Sequence, residues 1–514
     1  MAVVVGVGLA TGVGWGQSLE LPADVQAAIR GRITNGFNAG VVVGLVSTNG
    51  TRFFSFGSNS LESGQVVTED TVFEVGSITK IFTCTILSDL VERGSLTLTT
   101  PVQSLLPSAV RVPSRNSKAI TLGTLAMQNS GLPRLPTNLD PADVADPYAD
   151  YTPQKLYDFL NGYVLPRDPG ATYEYSNLGV GLLGHALSLW AGTNYESLVL
   201  DRIARPLGLE DTAIRLSPDQ SRRLAQGYTG IVPVGNWTFQ SLAGAGALRS
   251  TARDLSAFLE ANMGLRTTPL LPAMVSAQKS RFATTSGRIG LGWQILSSSA
   301  GDIVWHDGGT GGFASFFGFL ASKRLGVVLL ANSDYPVADL GFHILDPAIP
   351  LSSPPAVVTV VPDSLTPFVG RYQGRNGDDF DIDLRRNHLT VAYSGDLGQV
   401  YTLYPSSART FFLTLVTASA TFQTNAFGVS TNLMWTQGGV TSAYPRLAVP
   451  PQLGIRRENS GYRLTVFGDP SVRYVVEHST HLSEWIPVST NAIGDLSPSE
   501  LGTDLATNRY YRLR

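Results

Sequence analysis

Prolines at 350, 354, 355, 362 and 367, in the stretch IPLSSPPAVVTVVPDSLTP, restrict what this chain can fold into more than any other feature. Each proline fixes its own φ and removes a backbone donor, so such a run joins neither a helix nor a ladder and reads as an extended linker. Upstream of it, helical and strand patterns are mixed. Downstream, only the two-residue period survives: DFDIDLRRNHLTVAY alternates Asp379, Asp381 and Asp383 with Phe380, Ile382 and Leu384, the signature of strands with one buried face. TFQTNAFGVSTNLMWTQ continues the pattern, so residues 363–448 are expected to form a small antiparallel sheet or open barrel. A second break falls at Pro450-Pro451, and residues 449–514 read as a β-sandwich-like module of short strands and turns. The expected organisation is a signal-peptide-like segment at 1–16, a first domain at 17–349, a linker at 350–362, and two small all-β domains at 363–448 and 449–514.

Composition narrows the class. Hydrophobic residues make up 43% of the 514 and charged residues 15%, so the chain is globular. A net charge of −3 offers no electrostatic case for nucleic acid or for an anionic membrane. Cys84 is the only cysteine, which excludes an intramolecular disulfide and reads as a buried core thiol. The first sixteen residues, MAVVVGVGLATGVGWG, are apolar and uncharged. They are too short to span a bilayer. Gly14 and Gly16 before Gln17 suit signal cleavage, whereas the missing basic n-region leaves a buried N-terminal strand as the other reading. The first reading places the protein in the periplasm or outside a bacterial cell.

The chemistry centres on EVGSITKIFT, Glu74 to Thr83, where Lys80 follows Ser77 by three residues. On a helix these positions are neighbours, and an amine held in a desolvated pocket can activate a serine hydroxyl. S-x-x-K alone is weak: of five lysines, Lys279 also has a serine, Ser276, three residues before it. Context favours the first copy. Two β-rich runs around Asn49-Gly50 precede it as a hairpin, Gly76 permits a sharp turn, and Ile78, Phe82, Ile86, Leu87, Leu90 and Val91 continue at helical spacing up to Gly94. Ser77 is thus expected at a helix N-terminus, where free N–H groups favour developing negative charge. No comparable run follows Ser276.

Further along, Pro133 to Pro153 reads as a long surface excursion, GVGLLGHALSLWAGTNYESLV after Asn177 as a helix, and Ile303 to Ser333 as two strands joined by a turn. Tyr175 is the one tyrosine followed two positions later by asparagine, in TYEYSNLGVG, and such a phenol can deliver a proton to a leaving group while Asn177 holds a substrate amide. His306-Asp307-Gly308-Gly309-Thr310-Gly311-Gly312 supplies glycines that let a substrate approach a strand edge, with a free N–H near Gly309 for an oxyanion.

S-x-x-K, then Y-x-N, then H-x-G with a glycine-rich tail resembles the class C β-lactamase and penicillin-recognising serine hydrolase family. QNSGLP, PLGLEDT (206–212), AGAGALRSTARDL (243–255) and GLGW (290–293) fit the same resemblance, which covers roughly residues 20–345. It implies an α/β (α+β) fold, with a sheet flanked by helices, an all-α lobe and the active site between them. It also implies Ser77 as nucleophile, Lys80 and Tyr175 sharing acid and base work, Asn177 and His306 lining the substrate, and the N–H groups of Ser77 and Gly309, with Gly308 beside them, receiving the oxyanion. Lys80 can act as base only if its pKa falls by roughly three units from about 10.4, which costs about 4 kcal/mol; a charged Lys80 would instead make Tyr175 the base. Many β-lactamases of this family carry lysine where His306 stands, so an esterase or D-amino-acid peptidase is expected ahead of a β-lactamase or D-alanyl-D-alanine carboxypeptidase. No H-E-x-x-H or G-x-S-x-G motif occurs, and neither metal nor cofactor is expected. The expected partners are small ester, amide or peptide substrates, with cell-surface or polymer contact through the last module. The rival of another class is a non-catalytic surface-binding protein.

Overall fold

The computed structural model describes residues 19–513 apart from 375–377, 395–398, 415, 427, 448–451, 459–460, 468–474, 481–482, 491–493 and 497–509. The signal-peptide-like segment lies outside the described residues. The chain divides into two compact units, the first ending at Ser353 and the second beginning at Pro354.

In the first unit α1 (Ala23–Thr34) leads into a hairpin of β1 (Gly40–Ser47) and β2 (Gly50–Gly57). The turn falls at Thr48 and Asn49, one residue earlier than the Asn-Gly pair suggests, because Gly50 (φ 107°) opens the return strand opposite Ser47. A single helical turn at Gly76–Ile78 starts α2 (Thr79–Glu92), which ends before Gly94 at φ 70°. Next come α3 (Asn177–Ala191) and α4 (Ala252–Asn262). The remaining strands of the main sheet follow in one stretch: β3 (Phe282–Thr284), β4 (Gly287–Ile289), β5 (Gln294–Ser298), β6 (Gly301–Gly309), β7 (Ala314–Leu320) and β8 (Leu325–Ala331), then α5 (Ala338–Leu345). They form one antiparallel sheet in the order β2-β1-β8-β7-β6-β5-β4-β3.

Ile303 to Ser333 therefore holds three strands, not two. β7 and β8 are buried along almost their whole length, and a strand covered on both faces shows no alternation to separate it from its neighbour. The two faces of the sheet are distinct all the same. Val41, Val43 and Leu45 pack with Phe316, Val327 and Leu329 against Val25 and Ile29 of α1 and Leu340 of α5. Val42 and Val46, with Phe317, Val328 and Leu330, face Phe82 of α2 and Leu255 and Phe258 of α4. Phe82 stacks on Phe258 with ring centroids 4.1 Å apart.

Helix α2 is buried on every side from Thr79 to Leu90, as a helix must be when it lies between a sheet and a second layer of helices. Its helical spacing is real, but Thr83, Thr85, Ser88 and Asp89 are as buried as the apolar positions. Residues 133–153 correct another expectation: the segment lacks regular structure up to Thr152, yet Tyr148 and Tyr151 are 5% and 1% exposed and anchor it inward.

The second unit opens with a helical turn, Pro362–Phe368, and an eight-stranded antiparallel meander from Gly370–Gln373 to Val440–Pro445. The meander closes: Tyr372 bridges Arg446, and Leu447 N donates to Arg371 O at 2.8 Å. Leu365, Phe368, Tyr372, Phe380, Ile382, Leu389, Phe411 and Phe422 fill it. The period-two reading holds at Phe380 and Ile382 against exposed Asp381 and Asp383, while Asp379 is buried beneath Arg371, 2.6 Å away. Beyond it, Gln452–Glu458, Gly461–Phe467 and Gly494–Leu496 pair into one three-stranded sheet, and Val475–Ser479, Ile486–Thr490 and Tyr510–Leu513 into another.

Since each unit encloses hydrophobic clusters of its own, a chain ending at Ser353 is expected to fold alone. Its urea unfolding, followed by near-ultraviolet circular dichroism, should show a single cooperative transition. A fragment with no such transition would refute the division.

Candidate active site

Two glycines bring the start of α2 against the end of β6. Gly76 has φ 51°, and a Cβ on it would stand 2.7 Å from Gly309 N and 2.8 Å from Gly309 O. A Cβ on Gly308 would stand 2.1 Å from Val75 O and 3.1 Å from Ser77 N. Neither position admits a side chain at that separation. Thr310 N donates to Phe313 O at 3.0 Å, so the alternation of an antiparallel ladder turns the N–H of Gly309 away from β7. The backbone donors of Ser77 and Gly309 thus lie beside one another.

One turn into the helix, Lys80 reaches back. Its Nζ lies 2.8 Å from Ser77 Oγ, 2.9 Å from Asn177 Oδ1 and 2.7 Å from Ala245 O. The side chain is wholly buried. Burial, reinforced by the positive charge of Arg134, lowers its pKa to about 7. Tyr175 approaches the same oxygen from the other side, donating from Oη to Ser77 Oγ at 2.6 Å, and burial raises its phenol well above the ordinary range. Its neighbour Ser176 caps α3 by accepting from Gly179 N at 2.8 Å, which sets Asn177 as the first residue of that helix. Asn177 Nδ2 in turn donates to Tyr148 Oη at 3.1 Å.

The structure brings Ser77, Lys80, Tyr175, Asn177, Gly308 and Gly309 together. A cavity of about 570 Å³ opens above Ser77, lined on the helical side by Arg134, Tyr148, Tyr175, Asn177 and Trp237, and on the sheet side by Asp307 to Thr310 and Asp334. His306 sits behind that wall, not on it. Successive strand residues point to opposite faces: Asp307 is 57% exposed, and His306 is 1% exposed with its ring centroid 6.0 Å from that of Tyr175. Its Nδ1 meets Asp307 O at 2.5 Å, and its Nε2 is buried without a partner among the described residues. Burial lowers its pKa to about 4, so the imidazole is neutral at neutral pH.

Arg134, Tyr148 and Trp237 carried no motif. Tyr148 stacks on Phe239 at 4.6 Å and meets Trp237 edge-on at 5.5 Å. The backbone of Trp237 is clamped by the pair Glu74–Arg249: Glu74 Oε1 accepts from Trp237 N at 3.0 Å and Arg249 donates to Trp237 O at 2.9 Å. An aromatic within a proline- and aspartate-rich stretch was the one available signal for Tyr148. Lys279 is exposed beyond the end of its helix, away from this cluster. Burial pushes the Cys84 thiol up to about 12. Among the described residues no group of three His, Cys, Asp or Glu side chains could hold a metal ion, and no helix is long and apolar enough to cross a membrane.

Comparison with known proteins supplies a family. The Beta-lactamase family model matches residues 25–345. The chain is 29% identical over 331 residues, 61% of its length and 84% of the relative's, to the D-alanyl-D-alanine-carboxypeptidase/endopeptidase AmpH of Escherichia coli. It is 26% identical over 336 residues, 59% of its length and 90% of the relative's, to a beta-lactamase of Pseudomonas fluorescens. Among solved structures, a class C beta lactamase from Rhodobacter sphaeroides superposes with a TM-score of 0.55 at 27% identity, covering 63% of this chain and 99% of that one. The sheet with its helices has the β-lactamase-like architecture, and an all-β region follows it. By sequence and fold alike, the chain belongs to the beta-lactamase family of serine hydrolases.

Proposed function

We propose that the protein is an exported serine hydrolase that forms an acyl enzyme at Ser77 and acts on esters or on D-amino-acid amides and peptides. The observation that carries this is the contact of a wholly buried amine, with a pKa near neutrality, with a serine oxygen at 2.8 Å. A protonated Lys80 would donate to all three of its oxygen neighbours. A neutral Lys80 donates to Asn177 Oδ1 and Ala245 O and keeps its lone pair for the proton of Ser77. Because burial holds Tyr175 as a phenol, Lys80 is the base and Tyr175 the relay.

The sequence of events follows. Ser77 Oγ bonds to the substrate carbonyl carbon as its proton passes to Lys80 Nζ, and the N–H groups of Ser77 and Gly309 receive the carbonyl oxygen as it becomes anionic. When the tetrahedral intermediate collapses, the bond to the leaving oxygen or nitrogen breaks. Tyr175 gives that atom a proton and regains one from Lys80. Water then repeats the steps against the acyl group and frees Ser77. Neutral His306 adds no charge to the sheet side of the cavity, which supports ester and amide substrates over those that need a cation there. The apolar stretch 1–16 supports export. Cleavage of D-alanyl-D-alanine ends or β-lactams is the second reading, favoured by the relatives that carry those names.

A fluorophosphonate probe is expected to label Ser77 alone, as read by peptide mapping; folded protein that takes no label there would mean a binding protein instead. Lys80→Ala should lower turnover of p-nitrophenyl acetate by about 10²- to 10⁴-fold, and Lys279→Ala should leave it within about twofold, since that side chain lies in solvent. Equal losses would overturn the assignment of Lys80.

The pH profile is a separate check. The folded-state pKa of Lys80 is lowered, so the neutral, active amine prevails above about pH 7 and is lost as pH falls through that value. Turnover per unit KM on a neutral ester should rise to a plateau with its inflection near 7. An inflection near 10, the ordinary lysine range, would show that Lys80 stays charged.

A further inference from the structure

Arg134 is the only basic side chain among the residues lining the cavity above Ser77. Its guanidinium lies 5.0 Å from the ring centroid of Tyr175, on the face of the ring whose hydroxyl touches Ser77 Oγ. Among the described residues it makes no ion pair and no side-chain hydrogen bond, in contrast to Arg223 and Arg249, which are tied to Asp211 and Glu74. The side chain is solvent-accessible, and its five donors remain free for a ligand. Stacking on an aromatic face orients a guanidinium without using those donors.

The opposite wall carries the other sign. Asp307 lines the cavity from β6 and Asp334 from the segment after β8. Among the described residues Asp307's one ion-pair partner is His306 Nδ1 at 3.8 Å, and burial keeps that imidazole neutral. An anionic group entering the cleft is therefore repelled from the sheet and drawn to the helical lobe.

We propose that Arg134 is the specificity residue for a carboxylate on the leaving-group side of the substrate, binding it as a forked pair while Tyr175 protonates the departing atom. The side follows from the geometry: the phenol that serves the leaving group and the guanidinium share one ring. This rests on the hydrolase reading above and adds to it a specificity residue on the helical lobe, a site for a leaving-group carboxylate away from position 306.

The test uses two matched esters, 3-carboxyphenyl acetate and 3-carbamoylphenyl acetate, alike in shape and differing in charge. The quantity read is the ratio of their kcat/KM values. Arg134→Gln is expected to lower that ratio by about 10- to 100-fold, chiefly through KM, as loss of a charge-assisted pair does. Arg134→Lys, with charge but no fork, should fall between. An unchanged ratio in Arg134→Gln overturns the proposal, even where both rates drop together, since a common loss reports disturbance of Tyr175. Hydrolysis of the neutral ester by the wild type tests the hydrolase reading by itself. If neither ester is cleaved, titration of 3-hydroxybenzoate against 3-hydroxybenzamide in the wild type and Arg134→Gln still decides: tighter binding of the acid that disappears in the variant supports the proposal, and equal binding of both compounds in both proteins overturns it.

Discussion

The site depends on taking one ammonium group out of water. Lys80 has no exposed surface, and its amine, which titrates near 10.5 in water, is brought to about 7. Keeping such a group neutral at neutral pH costs roughly 5 kcal/mol. The surroundings must be packed well enough to withhold water. That requirement accounts for a helix buried on all sides from Thr79 to Leu90, pressed between the sheet and the helical lobe. It also accounts for the three oxygen neighbours of Nζ, from the helical turn that starts α2, from α3 and from the backbone of Ala245. Three separate segments of chain converge on one nitrogen because an amine this deep would otherwise be left without partners.

Burial also decides which group takes the proton. The same desolvation that lowers the amine raises the phenol, since in one the charged form is protonated and in the other it is deprotonated. Lys80 and Tyr175 thus move apart in opposite directions within one pocket, and their roles separate. From residue types alone the two assignments were equivalent. Cys84, one helical turn beyond Lys80, lies in the same apolar surroundings and is driven toward its inert thiol form.

How much the sequence disclosed follows the range of the signals. Ser77, Lys80, Tyr175 and Asn177 were legible because each sits at a helix start, where a glycine turn or a cap marks the position locally. The closed meander of the second unit was legible because its strands alternate, Phe380 and Ile382 inward, Asp381 and Asp383 outward. β7 and β8 merged into one strand because burial on both faces erases alternation. Tyr148 and Trp237 went unread because what places them is contact between segments far apart in sequence, through Asn177, Phe239 and the Glu74–Arg249 pair. His306 was found as a residue and misjudged in direction: beyond Asp307 the strand continues only as Gly308 and Gly309, which have no side chains to show which face is buried.

That direction matters for the charge of the whole cleft. The proton on Nδ1 of His306 is committed to Asp307 O, so the ring presents only an acceptor, Nε2, toward the protein interior, and carries no charge near neutrality. A lysine at the same place would have set a second ammonium near Lys80 and pushed the pKa of Lys80 down by repulsion. With a neutral ring there, the cation acting on Lys80 is Arg134, whose charge reinforces burial in lowering that pKa. The positive field that helps keep the base unprotonated thus comes from the helical lobe, and the sheet is left with Asp307, whose charge acts on Lys80 in the opposite sense. Burial is the larger cause of the lowered pKa of Lys80, so a neutral group at 306 leaves the base working, and the charge of Arg134 on the opposite wall adds to the same shift.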